Sequence, residues 1–520
     1  MSASTVTSVE PPVSDPHLID ALRADLESAR YDVGHLAEVL GPMAVAALDR
    51  ENGLPAVLAA RVSDDPAAVL ARLLTLGDPV PHALAGAALP RLGVEGATRL
   101  GLVTSDGDLA SGAIDLRPIE GGGRAWWLAS DRDSSTTGRP VEPDHVLGLG
   151  GASRTLAELT VRTPTGRALD LGTGCGVQAL TLSTHAGQVT GTDISPRALA
   201  YARFNAALNG VSVDWREGSM LEPVAGERFD LVVSNPPFVI TPRTGELATY
   251  SYRDGGGAGD DLVRDLITSV GDVLAPGGGV QMLGNWEIPR GRRWTERVTE
   301  WLDASGLDGW VMQREVLDPA HYAETWLRDG GISPERDRAT WEAAAEAWMA
   351  DFATRQVSGI GFGYVVLRRP ASDGGARRHR LEELDGPVGP ALGERVASAL
   401  RVTDLLRGLE DERVLDLAPV VAADVTEERH HLPGEPDPSV ILLRQGGGLG
   451  RVVRADTLLA AVVGACDGDL TLGQITAGVA VLLDQPVGEV RASVLPGVRG
   501  LLVDGQLTLP SQPPIRSSGD

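Results

Sequence analysis

Two short runs carry the chemistry of this chain. In the first, Val232-Val233-Ser234-Asn235-Pro236-Pro237-Phe238, a rigid polar turn follows an apolar strand directly. Its two prolines fix the backbone and remove two N–H donors, leaving the Asn235 side-chain oxygen and the Pro236 carbonyl as acceptors pointed at one spot. Such a pair can hold both hydrogens of a planar NH2 group and turn its lone pair toward an incoming electrophile. Pro237 completes the turn, and Phe238 is expected against the flat face of the acceptor. The chemistry is an in-line transfer to planar nitrogen, in which holding the reacting atoms roughly 3 to 3.5 Å apart supplies much of the rate. No general base is needed.

The second run, Leu169-Asp170-Leu171-Gly172-Thr173-Gly174-Cys175-Gly176, is an apolar strand entering a glycine-rich turn. Gly172, Gly174 and Gly176, with Thr173 among them, let a ligand approach the backbone, and the next helix offers free N–H groups to a carboxylate. Asp170 is placed to engage an ammonium through water. Asp193, followed by Ile194, ends the next strand, where a carboxylate can accept from both hydroxyls of a ribose. Adenine recognition falls to Ser219, Glu217 or the Met220 backbone. A nicotinamide dinucleotide site also uses glycines and a strand-end acid, but its G-x-G-x-x-G pattern needs glycine where this chain has Val177. S-adenosylmethionine (SAM) is therefore the expected cofactor, with Asn235 on the border between cofactor and acceptor. No metal is expected at the site.

Together the two runs resemble the class I SAM methyltransferases that act on planar nitrogen. Residues 166–285 resemble the HemK-like protein-glutamine methyltransferases and the wider small-domain methyltransferases, which include ribosomal RNA enzymes. The resemblance lies in Ser234-Asn235-Pro236-Pro237-Phe238-Val239-Ile240-Thr241-Pro242, Arg253-Asp254-Gly255-Gly256 and Gly259-Asp260-Asp261-Leu262. It implies that Asn235 and Pro236 bind a glutamine amide. Phe238 departs from the tyrosine usual in the glutamine enzymes and matches a substitution common among RNA methyltransferases. The expected activity is thus N-methylation of protein glutamine. The alternatives are an exocyclic base amine in RNA or DNA, a small-molecule amine, and a non-catalytic SAM-binding scaffold.

These motifs need a sheet to hold them. Strands are expected near Arg167–Leu171, Gln188–Ile194, Val211–Trp215, Phe229–Ser234, Gly279–Gly284, Trp310–Val316 and Ile360–Arg368, with helices between them. That pattern predicts an α/β fold with a seven-stranded, mostly parallel Rossmann-like methyltransferase sheet. The clearest helix has Ser195 as N-cap, Pro196 at its first position and Gly210 as its stop. Residues 317–358 read as an insertion whose Trp326, Trp341 and Trp348 form its own packing core, or a lid over substrate.

The methyltransferase domain is expected over 131–370. Before it, residues 1–130 read as a mainly helical, winged-helix-like domain closed by short strands. After the linker Arg369–Gly386, residues 385–512 read as a second winged-helix-like domain: three helices and an Asp-Gly hairpin over Leu501–Leu509.

Composition narrows the partners. The 520 residues include 42% apolar and 22% charged, as a globular chain of several domains would. All 46 cationic side chains are arginine, which removes Schiff-base and P-loop lysine chemistry. Only Cys175 and Cys466 are present, so neither a disulfide framework nor a cysteine-rich zinc site is expected, and a reducing cytoplasm fits. A net charge of -25 disfavours nucleic acid as partner and leaves a protein substrate as the expectation. Residues 1–130 carry 17 acids and 9 arginines, so phosphate binding there is not expected. No membrane span or secretory signal is read, and no oligomeric state is specified.

Overall fold

A computed structural model describes residues 9–137, 141–243, 250, 252–371, 377–384 and 392–509. The chain divides into two compact units, one of residues 1–157 with 164–384 and one of 158–163 with 385–520.

The first unit opens with short helices. Asp15 starts the helix Pro16–Ser28 by accepting from the backbone N–H groups of His17 and Leu18, with proline at the first helical position. Two hairpins follow, Val103–Asp106 with Leu109–Gly112 and Asp115–Gly121 with Arg124–Ser130. The second turns on Gly122 and Gly123, both at positive φ, as a two-residue hairpin loop requires.

Eight strands then form one sheet: β1 (Thr165–Leu171), β2 (Ala186–Asp193), β3 (Asp214–Glu217), β4 (Phe229–Ser234), β5 (Leu274–Pro289), β6 (Asp308–Leu317), β7 (Val357–Arg368) and β8 (His379–Glu383). Their order is β8-β6-β7-β5-β4-β1-β2-β3. Only β7 runs antiparallel to its neighbours. The seven expected strands are present with shifted ends, and β8 is added from the stretch read as linker. Its sequence, His-Arg-Leu-Glu-Glu, carries charge because it is an edge strand. Leu381 packs on the core, while Glu382 and Glu383 accept from the indole N–H groups of Trp310 and Trp294.

The helices that position the site are α1 (Val177–Leu182), α2 (Pro196–Leu208), α3 (Asp261–Ser269), α4 (Trp294–Ser305), α5 (Pro319–Asp329) and α6 (Arg338–Thr354). Ser195 caps α2 by accepting from Ala198 N, and Gly210 follows its end at φ +67°. The parallel strands and their crossover helices place the ends of β1, β2, β3 and β4 along one edge.

One apolar cluster joins Ile19, Leu22, Leu26, Tyr31, Trp126 and Leu128 to Tyr201, Phe204 and Leu208 of α2. Polar contacts follow the same seam: Asn205 accepts from Ala129 N and donates to Ala129 O, and Arg23 donates to the carbonyls of Ala207 and Leu208. A second cluster, on Tyr322, Trp348 and Phe352 of α5 and α6, takes in Val239 and Ile240.

In the second unit, the helix Leu392–Arg407 precedes a three-stranded antiparallel sheet of Val425–His431, Pro438–Gln445 and Val452–Ala455. The helices Thr457–Gly464, Leu472–Leu482 and Val487–Val503 follow. The hairpin expected over Leu501–Leu509 is not formed. Leu501 and Leu502 continue the buried face set by Val494 and Val498, so the helix runs on until Gly505 at φ +71° ends it. Leu507–Thr508 then pairs with Val420–Val421.

Candidate active site

A cavity of about 400 Å³ lies at the ends of β4, β1, β2 and β3. Asp170, Gly172, Thr173, Gly174, Asp193, Ile194, Ser219, Asn235 and Pro237 line it, so most of the residues singled out in sequence meet at one place.

Asp170 is the anchor of the turn. Its Oδ2 accepts from Thr173 Oγ1 at 2.5 Å and from Ala179 N at 2.8 Å. An N–H of α1 expected to face a ligand is therefore held by a side chain. Burial pushes the Asp170 carboxyl up to about 7, against these two hydrogen bonds, which favour its charged form. Gly172 N and Thr173 N both donate to Thr192 O, locking the turn onto β2. Gly174 N donates to Asp193 Oδ2 and Ser195 N to Oδ1, both at 2.9 Å. Each Asp193 oxygen has further lone pairs for a ligand. Burial raises this carboxyl as well.

Four expected residues do not line the cavity, Glu217 among them. Gly176 caps α1 at φ +91°, and a Cβ there would meet Ala202 and Trp215 at 3.3–3.4 Å, so its requirement is close packing. Pro236 is buried in the turn. The Phe238 ring stands edge-on to Trp326 and Phe362, with centroids 6.5 and 6.4 Å away. It supports the turn from the insertion side rather than presenting its face to the cavity.

Asn235 carries the most informative atom: its Oδ1 is buried and has no hydrogen-bond partner among the described residues. A strand end that leaves a buried acceptor open is costly unless a ligand supplies the donor. The loop after it is held firmly. Val239 N donates to Arg253 O, and Ile240 N donates to the Tyr322 hydroxyl at 3.0 Å, which Asn285 Nδ2 also reaches at 2.8 Å. Arg253 in turn pairs with Asp329 and lies over the Tyr250 ring. Gly255 admits the Pro237 carbonyl, which would sit 2.9 Å from a Cβ.

Tyr322→Phe should therefore strip two buried donors of their acceptor, at about 1–3 kcal/mol for each one left unpaired. Hydrogen exchange at the Ile240 amide should accelerate, and an unchanged rate would show that the hydroxyl does not hold the loop.

Sequence reasoning missed His145, Gln178 and Tyr252, which also line the cavity, and gave no role to Asp254, which lines it too. His145 and Tyr252 meet edge to face at 5.8 Å, and burial lowers the imidazole pKa. Gln178 had one signal, a lone amide in the apolar run Val177-Gln178-Ala179-Leu180. Cys175 lines the cavity as well, but burial pushes its thiol up to about 12, which keeps it protonated and inert.

With this geometry in hand, residues 148–299 match the sequence profile of the methyltransferase small domain. Residues 28–113 match a domain of unknown function, DUF7059. The release factor glutamine methyltransferase of Deinococcus radiodurans is 42% identical over 124 residues, 22% of this chain and 43% of that protein. The ribosomal protein uL3 glutamine methyltransferase of Bradyrhizobium diazoefficiens is 31% identical over 168 residues, 29% of this chain and 51% of the relative. The ribosomal RNA small subunit methyltransferase C of Alcanivorax borkumensis is 31% identical over 138 residues, 26% of this chain and 35% of the relative. The chain thus spans about half or less of the length of these relatives.

Proposed function

We propose that the methyltransferase small domain transfers a methyl group from SAM to a planar amide nitrogen, and that the acceptor is glutamine in a protein. The open, buried Asn235 Oδ1 at the cavity wall carries this reading.

The residues present fit the cofactor. Asp193 has lone pairs for a ribose diol at the end of β2, Ser219 and Met220 border the space at the end of β3, and the glycine turn leaves the middle open. Bound there, SAM supplies an electrophilic methyl on a sulfonium. Asn235 Oδ1 accepts a hydrogen of the acceptor NH2, which orients the nitrogen for in-line approach. The rigid turn, braced by Phe238, Val239 and Ile240 on the insertion, keeps that acceptor in place.

Charge supports a protein acceptor. Among the described residues lining the cavity are the carboxylates Asp170, Asp193 and Asp254, and no arginine. A wall of this kind suits a cationic cofactor and a neutral amide, and offers nothing to neutralise phosphates. Two of the relatives above are named for glutamine methylation, which supports the same choice.

The test is transfer of labelled methyl from SAM to a lysate that lacks this protein, with products split by protease and ribonuclease. Protease-sensitive label is expected. Nuclease-sensitive label would move the acceptor to an exocyclic amine of RNA, the direction in which Phe238 and the ribosomal RNA relative point.

Cofactor affinity should depend on pH with a defined sign. A cationic ligand favours the ionised form of Asp170, whose carboxyl titrates near 7. Affinity should therefore rise with pH up to about 7 and level off above it. Asp170→Asn keeps acceptors for Thr173 and Ala179, and should bind with a flat profile in calorimetry.

A further inference from the structure

Gln178 is a second open acceptor on the same cavity. It is 4% exposed, on the first turn of α1, and its Nε2 donates to the Ser153 carbonyl at 2.8 Å. A carbonyl only accepts, so this bond settles which end of the amide is which. Its Oε1 is then left buried with no hydrogen-bond partner among the described residues, on the wall shared with Ser153 and Asp170. Burying an acceptor this way is unfavourable unless a ligand brings a donor to it.

The donor follows from position, and the argument rests on the SAM reading of the cavity. SAM offers three kinds of donor: adenine amine, ribose hydroxyls and α-ammonium. The ribose belongs to Asp193 at the end of β2, and the adenine to the β3 side of the sheet, where Ser219 lies. Gln178 follows β1, which separates β2 from β4 and Asn235. Asp170, the obvious partner for an ammonium, already has its Oδ2 committed to Thr173 and Ala179. We propose that Gln178 Oε1 receives the α-ammonium of the cofactor, and that Gln178 therefore distinguishes a cofactor bearing the whole amino acid from its truncated nucleoside.

The test is calorimetric binding of two probes to the full-length protein: S-adenosylhomocysteine, which has the ammonium, and 5′-methylthioadenosine, which lacks it. A hydrogen bond to a charged group predicts that Gln178→Met weakens S-adenosylhomocysteine about tenfold or more. Methylthioadenosine should bind the variant as it binds the parent. Gln178→Glu, with its carboxyl protonated toward the Ser153 carbonyl, keeps both that donor and an acceptor at the Oε1 position and should retain S-adenosylhomocysteine, which separates lost acceptance from a damaged helix. Equal weakening of both probes by Gln178→Met, or no weakening of either, would overturn the proposal. If the unaltered protein bound neither probe, the SAM reading itself would fail, and this proposal with it. A parent that binds both while the variant shows no selective loss would remove the role of Gln178 alone.

Discussion

Asn235→Ala is expected to lower methyl-transfer turnover by about 10²-fold or more while cofactor affinity stays close to that of the parent. Asn235 directly follows β4, and among the described residues its buried Oδ1 has no partner, so its removal breaks no hydrogen bond made there by that atom. The loss should fall on the acceptor's orientation at the moment of transfer, and so on kcat more than on KM. Asp193 and the glycine turn are untouched, and calorimetry with S-adenosylhomocysteine should report this directly. Collapse of cofactor binding in the same variant would place Asn235 among the cofactor contacts instead.

The second large effect is on stability. Phe204→Ala should cost about 3–5 kcal/mol, because the ring is fully buried where the N-terminal elements meet α2. A lower denaturant midpoint for the unit that holds the eight-stranded sheet is the expected reading. The loss should reach the site, since Ser195, which caps α2, has its N–H held by Asp193. Residues 9–130 thus supply part of the wall on which the methyltransferase sheet rests. Their removal should expose Tyr201, Phe204 and Leu208 and yield a chain that does not fold.

Much of the site was legible because its residues obey local rules. An apolar strand, a glycine turn and a strand-end acid recur at short spacing, and Asn-Pro-Pro-Phe has few other uses. The cap of α2 at Ser195 and Pro196 was likewise readable from position alone. Less legible was whatever tertiary contact decides. Phe238 was expected at the acceptor's face, but Trp326 and Phe362, distant in sequence, hold its ring on the insertion side. His145 and Tyr252 reach the cavity wall from separate loops that carry no periodic signal. β8 escaped notice because a short edge strand can be mostly polar, and its partner β6 lies far upstream. The final helix passed for a hairpin because Asp504-Gly505 can end a helix as readily as it can turn a strand.

The insertion shows the same division. Its three tryptophans read as a packing core, and Trp348 is buried in one with Tyr322 and Phe352, while Trp326 and Trp341 pack against it. What the pattern did not reveal is that this core also grips Val239 and Ile240, immediately after the acceptor turn.

The chemical form of the transferred methyl decides between protein glutamine and a base amine as the acceptor. Protein labelled from SAM by the purified chain should be digested to amino acids, with an Asn235→Ala reaction run beside it. The label should co-migrate with N5-methylglutamine and be absent from the Asn235→Ala sample. Label recovered as a methylated nucleoside, or N5-methylglutamine formed equally well by the variant, would contradict the proposed function.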